Sequence, residues 1–233
     1  MWEHGAAAPP GRRALELAGL ARPELVAGER DTLTAGERDA ALFDLRERVF
    51  GSAIEAVVAC TGCGETLELA SAIDELRTEG AAEDTAESRT LSHAGYEIVF
   101  RLPTALDLAE IAHEIDLGQA HADLLGRCVL EASVEGQAIE ARELPGDVVS
   151  ALDAALAAAD PQADLELAVE CPTCGHSSVT HFDIASFLWL ELERFALETL
   201  REVHVLAVAY GWSESQILAL GARRRLYLEL IDG

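Results

Sequence analysis

The first strongly patterned segment of the chain is a predicted helix. It opens with the capping-box sequence Thr34-Ala35-Gly36-Glu37, in which the first and fourth residues can each bind a backbone N–H group of the other. Leu42 and Leu45 follow at helical spacing. Residues 1–33, which precede this helix, are rich in Ala, Gly, Pro and charged residues, with one short helix near Arg12–Leu20. We expect them to form a flexible, loosely held N-terminal arm.

Two pairs of segments alternate between polar and apolar residues and predict β-hairpins. Residues 54–59 and 66–70 flank one short turn, and residues 165–170 and 178–182 flank another. Both turns have the sequence Cys-x-x-Cys-Gly. The hairpins therefore present chemically similar tips.

The segment between the hairpins is long enough to form a subdomain. The acidic stretch at 77–92 predicts a solvated loop, and Tyr96–Leu102 alternates like a strand. Three helices are predicted after it, at residues 103–117, 119–132 and 145–159. The two hairpins thus enclose an inserted, mainly helical subdomain.

The last third of the chain is the most hydrophobic and predicts further helices. Asp183 can cap a long helix that runs to about Ala209 and carries apolar residues on more than one face. A second capping box, Ser213-Glu214-Ser215-Gln216, follows Gly211 and begins a shorter helix that ends at Gly221. A helix with apolar residues on several sides is either buried or offers a face to a partner.

Four of the five cysteines occupy the tips of the two hairpins. They form two knuckles, Cys60-Thr61-Gly62-Cys63-Gly64 and Cys171-Pro172-Thr173-Cys174-Gly175. Two thiolates at i and i+3 on a tight turn can bind one cation, and two such turns complete the tetrahedral set of four sulfur ligands found in structural zinc sites. Four protein ligands leave no position for water or substrate. One Zn2+ per chain is therefore expected to stabilise the fold rather than to catalyse a reaction.

Other interpretations of these residues are weaker. A thioredoxin-like redox pair would have one Cys-x-x-Cys at the start of a helix, and neither motif has a clear helix after it. Iron suits the same four thiolates, but nothing else in the chain suggests electron transfer. His176 and His181 flank the second knuckle and are interpreted as polar surface residues. Cys128 lies in an apolar run and is interpreted as a small buried hydrophobic residue.

These elements predict an α+β fold that is mainly helical, with a split four-cysteine zinc ribbon of two β-hairpins and an inserted helical subdomain. The predicted order is a flexible N-terminal arm at 1–33, a helix and the first hairpin at 34–76, the inserted subdomain at 77–164, the second hairpin at 165–182 and a C-terminal helical region at 183–233.

The charge of the chain restricts its partners. Of 233 residues, 42 are acidic and 17 are basic, which gives a net charge of −25 and opposes binding to nucleic acid or to anionic membranes. We expect no signal peptide, since residues 1–10 have neither a charged n-region nor a long apolar segment, and no apolar run reaches the length of about 20 residues that a membrane span requires. We therefore expect a cytoplasmic protein, and in that reducing compartment paired cysteines favour metal over disulfide.

Arg223, Arg224 and Arg225 form the only basic cluster in this acidic protein. The cluster is either surface charge on a helix or a docking patch for an acidic partner, and both interpretations remain open. Trp212 and Tyr227 lie near it in sequence, and large aromatic residues often anchor interfaces. These five residues are the candidate partner-binding residues.

Several short segments occur in a characteristic order across residues 50–231. They are Phe100-Arg101-Leu102-Pro103-Thr104, Asp160-Pro161-Gln162-Ala163-Asp164, Cys171-Pro172-Thr173-Cys174-Gly175-His176, Phe187-Leu188-Trp189 and Tyr210-Gly211-Trp212-Ser213-Glu214. The order resembles the T4-type phage baseplate hub assembly chaperone family, found in contractile phage tail and extracellular contractile injection gene clusters. The resemblance implies a non-enzymatic role in building a baseplate, with baseplate or hub proteins as partners. The protein would either leave after assembly or stay in the particle.

The residues themselves are consistent with a role other than catalysis. No Ser-His-Asp arrangement, phosphate-binding glycine loop or paired-carboxylate motif stands out in the sequence. The leading hypothesis is an assembly chaperone or structural component of the baseplate of a contractile phage tail-like particle or injection system. The alternative is a metal-dependent or redox enzyme that uses one Cys-x-x-Cys pair. Metal content and a count of free thiols before and after chelation distinguish the two.

Overall fold

The computed structural model describes residues 2–78 and 87–232 and shows a mixed fold of helices and small sheets. Two compact units are present, one from Glu3 to Ser186 and one that begins at Phe187. The α-helices are α1 (Trp2–Ala7), α2 (Pro10–Ala21), α3 (Ala27–Asp31), α4 (Ala35–Phe50), α5 (Ile73–Leu76), α6 (Ala105–Ile111), α7 (Leu117–Cys128), α8 (Gly146–Ala159), α9 (Ile184–Tyr210), α10 (Glu214–Ala219) and α11 (Arg224–Asp232). The strands are β1 (Ala53–Ala59), β2 (Thr66–Ala72), β3 (Arg89–His93), β4 (Tyr96–Phe100), β5 (Val129–Val134), β6 (Gln137–Ala138), β7 (Glu166–Glu170) and β8 (Ser177–His181).

The N-terminal segment is folded, so the prediction of a flexible arm at 1–33 is wrong. α2 packs against α4 and α6, and Leu17 and Ala18 are buried. A Cβ atom built on Gly11 would lie 2.5 Å from the Cβ atom of Ala112, just after α6. Small residues in α2 thus allow a close helix contact. Composition suggested an arm because Ala, Gly and Pro give a weak local signal, whereas the packing partners are far away in the sequence.

Two antiparallel hairpins carry the cysteines at their tips. β1 pairs with β2, and β7 pairs with β8, each pair forming its own two-stranded sheet. A small apolar cluster joins the two hairpins beside the knuckles, formed by Cys60, Leu67, Val169 and Cys171. This cluster places the two tips next to each other.

The segment between the hairpins contains a four-stranded antiparallel sheet in the order β3-β4-β5-β6. Residues of α7 and α8 pack on this sheet. The resulting core consists of Ile98, Phe100, Leu125, Ala132, Leu144, Val148 and Leu152. It is separate from the small cluster beside the cysteines.

Three predicted elements in this segment are corrected by the structure. The predicted helix at 103–117 ends at Ile111, and a turn that carries the exposed His113 leads into α7. The predicted helix at 119–132 ends at Cys128, after which the chain continues as β5. Part of the predicted loop at 77–92 is strand β3, and residues 79–86 lie outside the described residues.

Two buried polar side chains, Asp160 and Gln162, connect the end of the inserted segment to α4 and to the end of α5. The Asp160 carboxylate accepts a 2.8 Å hydrogen bond from the N–H of Gly36, in the first turn of α4. The side chain of Gln162 accepts a hydrogen bond from the N–H of Thr78 (2.9 Å) and donates one to the carbonyl of Leu76 (3.2 Å). These bonds join segments more than 80 residues apart and fix where the second hairpin begins.

The unit that begins at Phe187 has its own small core. Val203 and Leu206 of α9 and Ile217 of α10 are buried together, and α11 packs against them. The predicted capping box is present, since the Ser213 side chain accepts from the N–H of Gln216. In the described part of the chain, no helix is both long enough and apolar enough to cross a membrane.

Candidate metal centre

Both Cys-x-x-Cys-Gly turns close by the same backbone hydrogen bond. The N–H of Gly64 donates to the carbonyl of Cys60, and the N–H of Gly175 donates to the carbonyl of Cys171, each at 2.8 Å. Gly64 has a φ of 78° and Gly175 a φ of 71°, which is the left-handed region that favours glycine. The two tips are therefore local copies of one turn, as the repeated sequence predicts.

The structure brings the four knuckle sulfurs into one cluster. The Sγ atoms of Cys60 and Cys174 lie 3.7 Å apart, those of Cys63 and Cys171 lie 3.8 Å apart, and all four lie within 4.8 Å of one another. A tetrahedral ion with bonds of about 2.3 Å to sulfur requires sulfurs about 3.8 Å apart. The arrangement is compatible with a four-coordinate metal site.

The acidity of the thiols in this cluster is uneven. Backbone hydrogen bonds from Cys63 and Gly62 lower the pKa of Cys60 to about 6, although burial opposes them. The backbone of Glu65 also lowers the pKa of Cys63, but hydrogen bonds with neighbouring thiols and burial outweigh it and raise that pKa to about 12. The first thiol of the cluster therefore ionises readily. Ionisation of each further thiol is opposed by the negative charge of the thiolate already present. A bound cation removes that repulsion.

Contacts outside the sulfur cluster also join the two knuckles. Nε2 of His176 lies 3.0 Å from Oγ1 of Thr61, across the gap between the tips. A Cβ atom at Gly62 would lie 2.9 Å from the ring of His176, so the imidazole packs directly on this glycine. No sequence pattern predicted these contacts, because Thr61 and His176 are 115 residues apart.

The remaining cysteine and the second flanking histidine do not join this cluster. Cys128 is buried, and desolvation raises the pKa of its thiol to about 11. His181 is exposed, and its Nδ1 lies 3.1 Å from a carboxylate oxygen of Asp164. Neither belongs to the group of four residues that could share a metal ion.

The chain after each knuckle is extended rather than helical. β2 follows the first knuckle and β8 follows the second. A redox Cys-x-x-Cys motif gains much of its thiol acidity from a helix N-terminus. That source of acidity is missing at both of these turns.

The candidate partner-binding residues Trp212 and Tyr227 form an aromatic cluster with Tyr210. The rings of Tyr210 and Trp212 stack with centroids 4.6 Å apart, and Tyr227 meets Trp212 edge-on at 5.1 Å. Trp212 and Tyr227 are half-buried against the core around Leu206. The contacts of Trp212 and Tyr227 therefore hold the C-terminal helices against α9.

The three consecutive arginines differ in their surroundings. Arg224 is largely buried, and its Nε donates to a carboxylate oxygen of Glu202 in α9 at 3.1 Å. Arg223 and Arg225 are exposed. The run of three predicted from sequence therefore supplies two outward-facing charges and one ion pair within the unit.

Comparison with known proteins identifies a family that the chain matches. A family model described as T4 bacteriophage base plate protein matches residues 24–189. The matched range includes both knuckles and the sheet between them, whereas the C-terminal segment from Tyr210 onward lies outside it. No curated protein and no solved structure matches the chain.

Proposed function

Because the chain belongs to the T4 bacteriophage base plate protein family, we propose that it is an assembly chaperone or structural component of the baseplate of a contractile phage tail-like particle or injection system. It binds other baseplate or hub proteins and catalyses no reaction. It is made in the cytoplasm and either leaves the baseplate after assembly or stays in it. The family match across residues 24–189 carries this proposal.

A single structural Zn2+ is part of the proposal. Cys60, Cys63, Cys171 and Cys174 would hold it, and their sulfur spacing suits a closed tetrahedral site. The ion would fix the relative position of the two hairpins and, with them, the ends of the inserted segment. Zinc is preferred to iron because a baseplate component has no need for electron transfer.

The proposed partner surface lies at the C-terminal end of the chain. Arg223 and Arg225 are exposed there, and the apolar side chains of Leu226 and Leu230 on α11 are exposed as well. Apolar contacts with a charged rim are typical of protein interfaces. Trp212 and Tyr227 support this surface from beneath, and Arg224 holds α11 to α9.

Co-production with the other baseplate proteins of the same particle tests the proposal. The charge reversals Arg223→Glu and Arg225→Glu, made together with Arg224 unchanged, should lower the yield of assembled particles about tenfold, because interface charges govern partner capture. Particle counts by negative-stain electron microscopy measure this.

A matched control has the same change in charge elsewhere. Arg12 and Arg142 are exposed, and the ion pair of Arg142 with Glu140 is at the surface, where it contributes little to stability. The variant with Arg12→Glu and Arg142→Glu should assemble particles normally. If the control lost assembly and the C-terminal variant did not, the partner surface would lie in the first unit. Particles that form normally without this protein would overturn the function itself.

A further inference from the structure

The chain from the turn after α6 to the first residue of α7 exposes two large aliphatic side chains two positions apart. Ile115 is 94% exposed and Leu117 is 83% exposed, more than any other large hydrophobic residue in the described part of the chain. Exposed single aliphatic residues are common, but two such residues on one turn form a small apolar tip. We call residues 114–117 the acidic-apolar tip, because Glu114 and Asp116 alternate with Ile115 and Leu117.

Hydrogen bonds to its own backbone hold this tip in one conformation. Oε1 of Glu114 accepts from the N–H groups of Ile115 (2.9 Å) and Asp116 (3.1 Å). Oδ1 of Asp116 accepts from the N–H groups of Gly118 (2.9 Å) and Gln119 (3.2 Å) at the start of α7. A preorganised loop loses little conformational entropy when it binds.

The two carboxylates of the tip have no cationic partner within the described residues. Glu114 and Asp116 form no ion pair there, in contrast to nearby Glu110, which pairs with Arg127. Their charge is therefore available to a cation on another molecule. The tip therefore combines two exposed apolar side chains with two carboxylates that form no ion pair within the described residues.

We propose that the acidic-apolar tip docks into an apolar pocket rimmed by arginine or lysine on another baseplate protein. The inference rests on the proposed function, and it adds a second binding surface in a different compact unit from the C-terminal surface. The two surfaces have opposite charge, since Arg223 and Arg225 are basic. They therefore fit different partners, and the protein would connect two components of a baseplate.

Charge complementarity favours a basic pocket on another baseplate protein over a lipid surface, nucleic acid or a second copy of this chain. Anionic lipids and nucleic acid would be repelled by the tip and by a net charge of −25. A second copy of this chain carries the same net charge, which opposes self-association. A basic protein pocket offers both an apolar contact and the opposite charge.

The test measures binding of the intact protein to each purified baseplate protein of the same particle by calorimetry. Ile115→Ser combined with Leu117→Ser should weaken binding to one of them about 100-fold, since each buried aliphatic side chain is worth roughly tenfold or more. Glu114→Gln should weaken the same complex severalfold and reduce its dependence on salt.

The matched control removes two other exposed aliphatic residues of the same unit. Val26 is 65% exposed and Val57 is 71% exposed, and the variant with Val26→Ser and Val57→Thr should bind within about twofold of the wild type. Thermal unfolding of all variants checks that each remains folded.

The outcomes separate this inference from the proposed function. If the wild type binds a baseplate protein and the tip variant binds it equally well, the tip is not a docking site, while the proposed function stands. If the wild type binds none of the baseplate proteins, both fail. If sedimentation shows that the wild type self-associates and the tip variant does not, the occupant is a second copy and the inference is overturned.

Discussion

Gly36 and Asp160 are 124 residues apart in the sequence, yet one hydrogen bond joins them at the start of α4. The carboxylate replaces an intrahelical partner that the first turn of a helix lacks. Asp160 is buried, and desolvation raises its pKa although the Gly36 N–H lowers it. The contact needs glycine, because a Cβ atom at position 36 would lie 1.8 Å from Oδ1 of Asp160.

Replacement of Gly36 by alanine should destabilise the protein by about 2–4 kcal/mol, because it displaces a buried carboxylate from its hydrogen bond. Gly126→Ala in α7 is the control, since nothing lies within 4 Å of a Cβ atom there. That change should be neutral or stabilising by about 0.5–1 kcal/mol. Denaturant unfolding measures both, and equal stability of the two variants would contradict the role of the contact.

Asp39 is a buried carboxyl whose ionisation should oppose folding. Desolvation raises its pKa to about 6, against the effect of Arg38, whose Nε donates to it at 2.7 Å. The negative charges of Asp183 and Asp160 raise the pKa further. Since the folded pKa lies above the unfolded value of 3.8, the native state binds more protons between these two values. Stability from this group is therefore present at low pH and is lost as the pH rises toward 6.

The variant Asp39→Asn should reveal this dependence. The free energy of unfolding of the wild type minus that of the variant should fall by about 2 kcal/mol between pH 4 and pH 7. Urea unfolding at one-unit steps of pH measures the difference, and thiol ionisation cancels because both proteins have the same cysteines. A difference that stayed constant or rose with pH would show that Asp39 is ionised at little cost in the folded state.

At the scale of elements, local signals predicted the structure well where they were decisive. Thr34 and Ser213 begin helices as their capping boxes predict, because a cap depends only on residues three positions away. Both hairpins were also predicted, since alternation and the cysteine turns are local features. Asp183 caps α9 by accepting from the N–H groups of Ala185 and Ser186.

Elements that depend on remote partners were not predicted. Strands β3 and β5 both pair with β4, and β4 supplies their backbone hydrogen-bond partners. Their own sequences do not indicate that they form strands. α2 is held by α4 and α6, so its small residues are buried rather than part of an arm. In each case tertiary contacts outweighed a weak local preference.

The same distinction applies to the candidate site. The spacing of Cys60, Cys63, Cys171 and Cys174 predicted one cluster, because two matching Cys-x-x-Cys turns are typical of a shared four-sulfur site. The contact of His176 with Thr61 and Gly62 could not be predicted, since no periodicity relates these positions. The separate roles of Arg224 and its two neighbours also required the position of Glu202 in α9.

At the scale of the whole molecule, the sulfur cluster joins segments separated by the 107 residues from 64 to 170. A metal ion bound there would close this long loop and restrict the unfolded chain. The inserted core around Ile98 and Leu152 lies inside the loop and does not touch the cluster beside the cysteines. Loss of the ion should therefore affect the hairpins more than the inserted core.

Removal of the proposed metal ion should lower the free energy of unfolding by several kcal/mol, since loop closure alone contributes about 5 kcal/mol for a loop of this length. Cys63→Ser is the informative variant, because Cys63 is exposed and its replacement removes a ligand without opening a cavity. Cys128→Ala is the control and should keep one metal ion per chain. Elemental analysis measures the metal, and hydrogen exchange should show faster exchange in β1, β2, β7 and β8 than in β4 and α8 of the Cys63→Ser protein. Full metal content in the Cys63→Ser protein would contradict a shared metal site. Equal rates of amide hydrogen exchange in the hairpins and in the inserted core would contradict a role for that site in holding the two hairpins together.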